Sequence, residues 1–157
     1  MRAVIVLLIA LSLGAAGSVA AQSPGSGLGP DQRNAILGYE LTLDRANHLI
    51  SAMSALTQYL VSLPDFKERM ARSAKLTPAE RLAQMEQDPK TSEILKQNSL
   101  TARDYLVGVP ALRMALLSAQ GLNAPNIVAS PANVAFAKAH LAELKPKMDQ
   151  ADLGRRP

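Results

Sequence analysis

Thr101-Ala102-Arg103-Asp104-Tyr105-Leu106-Val107-Gly108-Val109-Pro110-Ala111-Leu112-Arg113-Met114-Ala115-Leu116-Leu117-Ser118-Ala119-Gln120-Gly121 is the stretch that decides the fold. A threonine able to cap a helix opens it, and a glycine able to close one ends it. Between Tyr105 and Gln120 the only charge is Arg113, and apolar side chains fall on every side of a helical wheel. A surface helix keeps a polar face, so a helix apolar all round is enclosed by neighbours. The stretch therefore reads as the central helix of an all-α bundle of four or five helices. Pro110 falls inside it, where its ring clashes with the carbonyl four residues back, so a kink is expected there.

The surrounding chain supplies partners for that helix. The segment from Asp31 to Leu63 reads as one long first helix, with Leu49, Met53, Leu56, Leu60 and Leu63 in a four-three spacing along one seam. Ser51, Ser54, Thr57, Gln58 and Ser62 read as its polar side. Pro64 ends it. From Asp65 to Ser99 the chain is densely charged and reads as short amphipathic pieces over the core. Phe66, Met70 and Ala74 share one stripe of the first piece. Thr77 caps the next, followed by Pro78 at the first helical position and Glu80 three residues after the cap. Leu82 and Met85 point inward on it, and Ile94 and Leu95 follow in a further short turn or helix. After Gly121 comes a loop, Leu122 to Ala129. Ser130 then caps a last helix whose inward seam is Val134, Ala137, Leu141, Leu144 and Met148, and which Pro146 bends or ends.

Composition sets the class. The chain has 157 residues, 48% hydrophobic but only 3% aromatic, with no tryptophan. That suits one globular domain of packed helices, large enough to bury a core. The absence of cysteine excludes disulfides, thiolate metal sites, covalent c-type haem and a lipid-modified cysteine anchor. A net charge of +4, without a clustered basic patch, does not argue for nucleic acid.

The N-terminus has the three regions of a secretory signal peptide: Met1-Arg2, the apolar run Ala3 to Leu13, and small residues up to Ala21. Cleavage is expected after Ala21 or Ala20. The run is too short for a transmembrane span of about 20 apolar residues, so no membrane span is expected after cleavage. The expected organisation is a signal peptide at 1–21, a flexible leader at 22–30, a single helical domain at 31–153 and a frayed tail at 154–157, with fraying beginning as early as Ala151. The expected location is the periplasm or the exterior, and no oligomeric state is indicated.

Two blocks, L-T-A-R-D-Y-L-V from Leu100 and S-P-A-N-V-A-F-A-K-A-H-L-A-E-L from Ser130, resemble the C-terminal half of small exported bacterial proteins that carry no assigned activity. The resemblance implies export and a helical fold, and brings no catalytic residues with it. A slighter likeness is to periplasmic LTxxQ-type chaperones, through Leu76-Thr77 and Leu100-Thr101. Glutamate or aspartate replaces the glutamine of that motif, and helix capping explains both pairs on its own.

Candidate chemistry is sparse. The only histidines are His48 and His140. Asp44 lies one turn before the first and Glu143 three residues after the second, so each pair shares a helix face. Were the first and last helices neighbours, Asp44, His48, His140 and Glu143 would offer a bundle metal site. Bundle di-metal proteins usually carry more carboxylates in a Glu-x-x-His order, which is reversed at His140, and two surface pairs are the weightier reading. Non-covalent haem held by Met53 with His48 or His140 is the other cofactor option, against methionines that more often fill core. No G-x-S-x-G elbow, H-E-x-x-H pair or glycine-rich phosphate loop is present, so neither an enzyme nor a cofactor is expected. The expected role is an envelope binding or interaction module, chaperone-like or partner-binding, with an envelope protein or peptide as its partner. A haem- or metal-binding bundle is the alternative. Arg113 is read as snorkelling to the bundle edge, or else as paired in the interior with Glu40 or Asp44.

Overall fold

The computed structural model describes residues 30–122 and 129–153. The expected signal peptide, almost all of the expected leader, the middle of the loop after Gly121 and the last four residues lie outside the described residues. Every element within them is helical. In chain order these are α1 (Pro30–Gly38), α2 (Leu43–Ser62), α3 (Phe66–Ser73), α4 (Pro78–Gln87), α5 (Pro89–Gln97), α6 (Ala102–Ala119), α7 (Pro131–Ala139) and α8 (Leu141–Leu153). No strand occurs among the described residues, and none of their helices is long and apolar enough to cross a membrane.

Helix α6 begins and ends as its sequence specifies. Thr101 accepts from the Asp104 N–H at 3.0 Å, and the Asp104 carboxylate accepts from the Thr101 N–H at 3.0 Å, a reciprocal capping box. At the other end Gly121 adopts φ +78°, the Leu122 N–H reaches Leu117 O at 3.1 Å and the Gly121 N–H reaches Ser118 O at 3.0 Å. Those two bonds satisfy carbonyls that the helix itself leaves without donors. Along α6, Ala102, Tyr105, Gly108, Val109, Ala111, Leu112, Ala115 and Leu116 are buried. It packs against α7, α2 and α1, and more lightly against α4, α5 and α8. On α2, Leu49, Met53 and Leu56 of the expected seam are buried, and Leu49 and Met53 are fully enclosed. Ile94 and Leu95 of α5 and Leu144, Met148 and Ala151 of α8 complete the core.

Four expectations need correction. The first helix is two, because the chain leaves helix after Gly38 and Thr42 starts a new one by accepting from the Arg45 N–H at 3.2 Å. The buried amide of Asn133 satisfies the polar groups this break would otherwise strand. It donates to Tyr39 O at 2.7 Å and accepts from the Leu41 N–H at 3.1 Å. Thr57, assigned to the polar side of that helix, is buried. The last helix also divides, at His140, which closes α7 while its carbonyl accepts from Leu144 N at 2.9 Å to open α8. Pro146 does not end α8, and Ala151 does not fray: the helix runs to Leu153 with Ala151 only 4% exposed. Burying Ala151 holds a last turn that its sequence alone leaves weak.

The charged middle divides in two. Thr77 and Glu80 close a second capping box, with the Glu80 carboxylate accepting from the Thr77 N–H at 2.7 Å. Asp88 ends α4 and caps α5, accepting from the Lys90 N–H at 3.1 Å. Yet α3 and α4 contain no buried residue at all. Leu82 and Met85 lean on the core from α4, while α3 packs against α2.

Candidate functional site

Asp44 and His48 lie one turn apart on α2, with Oδ2 and Nδ1 3.8 Å from each other and the Asp44 side chain 82% exposed. His140, at the α7–α8 joint, packs its ring at a tilt against Phe136, with centroids 4.8 Å apart and planes 42° apart. Glu143 turns away from metal chemistry: it accepts from Lys147 Nζ at 2.8 Å, and Lys147 also reaches Asn47 Oδ1 at 2.9 Å. The hydrogen bond from Lys147 is the main reason the Glu143 carboxyl sits below the ordinary glutamate range. Lys147 thus joins α8 to α2 where the metal reading placed an ion. Among the described residues, no three His, Asp or Glu side chains gather closely enough to hold a metal ion. Of the residues offered as haem ligands, Met53 is enclosed with its sulfur 3.5 Å from Arg113 Nη2, and His48 is half-buried on α2.

Of the two readings of Arg113, the interior pairing is the one that needs correction. The guanidinium pairs with Asp152 on α8, not with Glu40 or Asp44, and both side chains remain about one-third exposed, 31% and 37%. The pair sits at the edge of the core. Asp152 was hidden from sequence reasoning because it falls in the stretch expected to fray. Its only signal was position, four residues after Met148 on the same helix face.

A second polar link missed by the sequence is Tyr59, whose hydroxyl lies 3.3 Å from each carboxylate oxygen of Asp88. Burial first, and then the nearby negative charge of Asp88, push the Tyr59 hydroxyl above the ordinary tyrosine range. The contact ties the end of α2 to the α4–α5 corner. Asn133 is the third such link, and its signal was no more than a polar residue in the first turn after Ser130, Pro131 and Ala132. The remaining marked positions are structural. Thr77, Thr101 and Ser130 cap, Gly121 closes, and Pro110 lies within α6.

What remains as a surface able to meet another molecule is the corner of α2 and α3. Val61 is 48% exposed and Met70 41%, with Phe66 and Leu63 half-buried beside them in the chain. The helix that carries Met70 is held by its own charges. Asp65 accepts from Arg69 Nε at 2.9 Å and from Arg72 Nη2 at 3.3 Å. Burial raises the Asp65 carboxyl, but the two arginines outweigh it and hold the group below the ordinary aspartate range. Lys67 and Lys75 on the same arm make no ion pair among the described residues. The corner therefore offers apolar side chains and free positive charge. Compared with known proteins, the chain matches no protein-family model, no curated protein and no solved structure.

Proposed function

We propose that this is an exported envelope protein that works by binding, through the α2–α3 corner, an envelope protein or peptide with an apolar stripe and acidic flanks. One observation carries the reading: α3 is amphipathic, yet buries none of its residues and leaves Met70 open. A contiguous exposed apolar patch is what marks an interaction surface, and Val61 and Met70 with the half-buried Leu63 and Phe66 are offered as that patch. Lys67 and Lys75 favour an acidic partner by charge complementarity. No catalytic role is assigned.

The architecture belongs to the same proposal. Counting α1–α2, α4–α5 and α7–α8 each as one broken rod, the eight segments make five rods, α6 among them, with α3 set against α2. The central helix is kinked at Pro110, whose missing N–H leaves the Leu106 carbonyl without its intrahelical donor. Export rests on the N-terminal signal pattern, with the periplasm or the exterior as destination.

Two measurements test the proposal. Leu8→Arg should block export, and the exported chain should be lighter by about 2 kDa, the mass of a leader of this kind. A photo-crosslinking side chain at position 70 should capture one specific envelope partner, and Lys67→Glu with Lys75→Glu should abolish that capture. Capture that persists undiminished after both charge reversals removes the charge-matched reading.

A further inference from the structure

The connection between α1 and α2 is unusual because another helix reads its backbone. Asn133, 2% exposed in the first turn of α7, donates to the carbonyl of Tyr39 at 2.7 Å and accepts from the N–H of Leu41 at 3.1 Å. A carbonyl and an N–H two residues apart are the pair that an extended peptide offers along one edge. The side chains beside this contact are received just as specifically. Ile36 and Leu41 are 3% and 6% exposed. The Tyr39 ring enters a notch that exists because α6 has glycine at position 108, where an added Cβ would lie 2.8 Å from Tyr39 Cζ and 2.9 Å from Leu49. Residues 36–41 therefore sit on α6 and α7 as a bound peptide sits on a receptor.

From this we infer that the Asn133–Gly108 face is a peptide-binding groove, filled in this structure by the chain's own residues 36–41. A partner segment fits it if it carries an aliphatic residue, an aromatic three positions later and an aliphatic two beyond that, with extended backbone over the last three. The N-terminal segment is the part of the fold best able to vacate. Among the described residues, Asn133 makes the hydrogen bonds that tie it to a distant part of the chain, and Ile36 is the buried side chain of α1. A tethered segment competes at an effective concentration of about millimolar, so an outside peptide gains access in proportion to the open fraction. The inference does not depend on the α2–α3 corner, which shares none of these residues.

The probe is a synthetic peptide of residues 31–42, blocked at both ends and labelled, titrated into the full chain. Ile36→Ala in the protein loosens the resident segment and should tighten binding of the peptide at least about tenfold, because more of the protein is competent. In that background, Asn133→Ala should weaken binding at least about tenfold, and so should N-methylation of the peptide at Leu41, since each leaves a polar group unpaired. Peptide binding indifferent to both changes overturns the groove, as does a concentration-dependent dimer in place of a one-to-one complex, which assigns the face to a second copy. Hydrogen exchange on the unaltered chain supplies a test free of any variant. Amides of 34–38 and of Leu41 should exchange at least about tenfold faster than those of 49–56 and 112–116, as a locally opening segment does. Equal rates would show that the segment leaves only when the whole domain unfolds, and would overturn the proposal. Loss of the partner crosslinked at position 70 would leave all of these results unchanged.

Discussion

At the scale of single residues, two helix ends built alike allow a direct comparison. The end of α5 repeats the geometry of the end of α6, with Leu100 N–H on Leu95 O at 2.9 Å and Ser99 N–H on Lys96 O at 3.0 Å. The residue in the left-handed position is glycine at 121, with φ +78°, but serine at 99, with φ +55°. A side chain in that region costs about 1 kcal/mol that glycine avoids. Ser99→Gly should therefore stabilise the domain by up to about 1 kcal/mol, and Gly121→Ser should destabilise it by a similar amount. Chemical denaturation of both variants reads the two signs at once. Gly121 was legible in the sequence because glycine announces this turn, and Ser99 was not, because serine does not.

Arg113 yields the second residue-level prediction. Its partner Asp152 is 37% exposed, so removing the cation does not strand a buried charge. Its Nε is buried without a hydrogen-bond partner, a cost that disappears with the guanidinium. Arg113→Met keeps the stem that packs on the core and should change stability by no more than about 1 kcal/mol. Arg113→Ala, which also removes the stem, should cost more. Thermal unfolding of the two variants side by side separates charge from packing, and equal losses would place the stability in the ion pair.

At the scale of elements, capping decided most boundaries, and capping is local enough to read. Thr77, Thr101 and Ser130 each accept the backbone N–H three residues on, as their sequence contexts specify. What could not be read were the interruptions at 39–42 and at His140. The first depends on Asn133, 92 residues away from Leu41, and no local pattern encodes that distance. The Thr77 box carries a pH prediction. The Thr77 N–H, and then its hydroxyl, hold the Glu80 carboxyl below the ordinary glutamate range. A carboxyl lowered by folding stabilises above its unfolded pKa and loses that contribution as pH falls through the folded value. Glu80→Ala should therefore destabilise the domain at neutral pH, and its deficit should shrink in acid, where the parent loses the same contribution. A deficit that stays constant with pH would detach Glu80 from the cap.

At the scale of the molecule, the apolar seams of α2 and α6 gave away the core, because enclosed helices must be apolar on the faces they share. The candidate site was far less legible. Whether Met70 is covered depends on how α3 leaves α2, and the Phe66, Met70 and Ala74 stripe looks the same covered or bare. The division between a closed core and an open corner makes the final prediction. Leu56 and Leu116 are each 4% exposed, so Leu56→Ala and Leu116→Ala should each cost about 2–5 kcal/mol. Met70, at 41% exposed, should lose less than about 0.5 kcal/mol on conversion to alanine, as should the exposed Glu86. Urea unfolding of the four variants distinguishes a core from a corner: a loss at Met70 as large as at Leu116 would make α3 part of the core. The expected result leaves Met70 contributing little to the fold, so a loss of partner binding in Met70→Ala would then report on the surface alone.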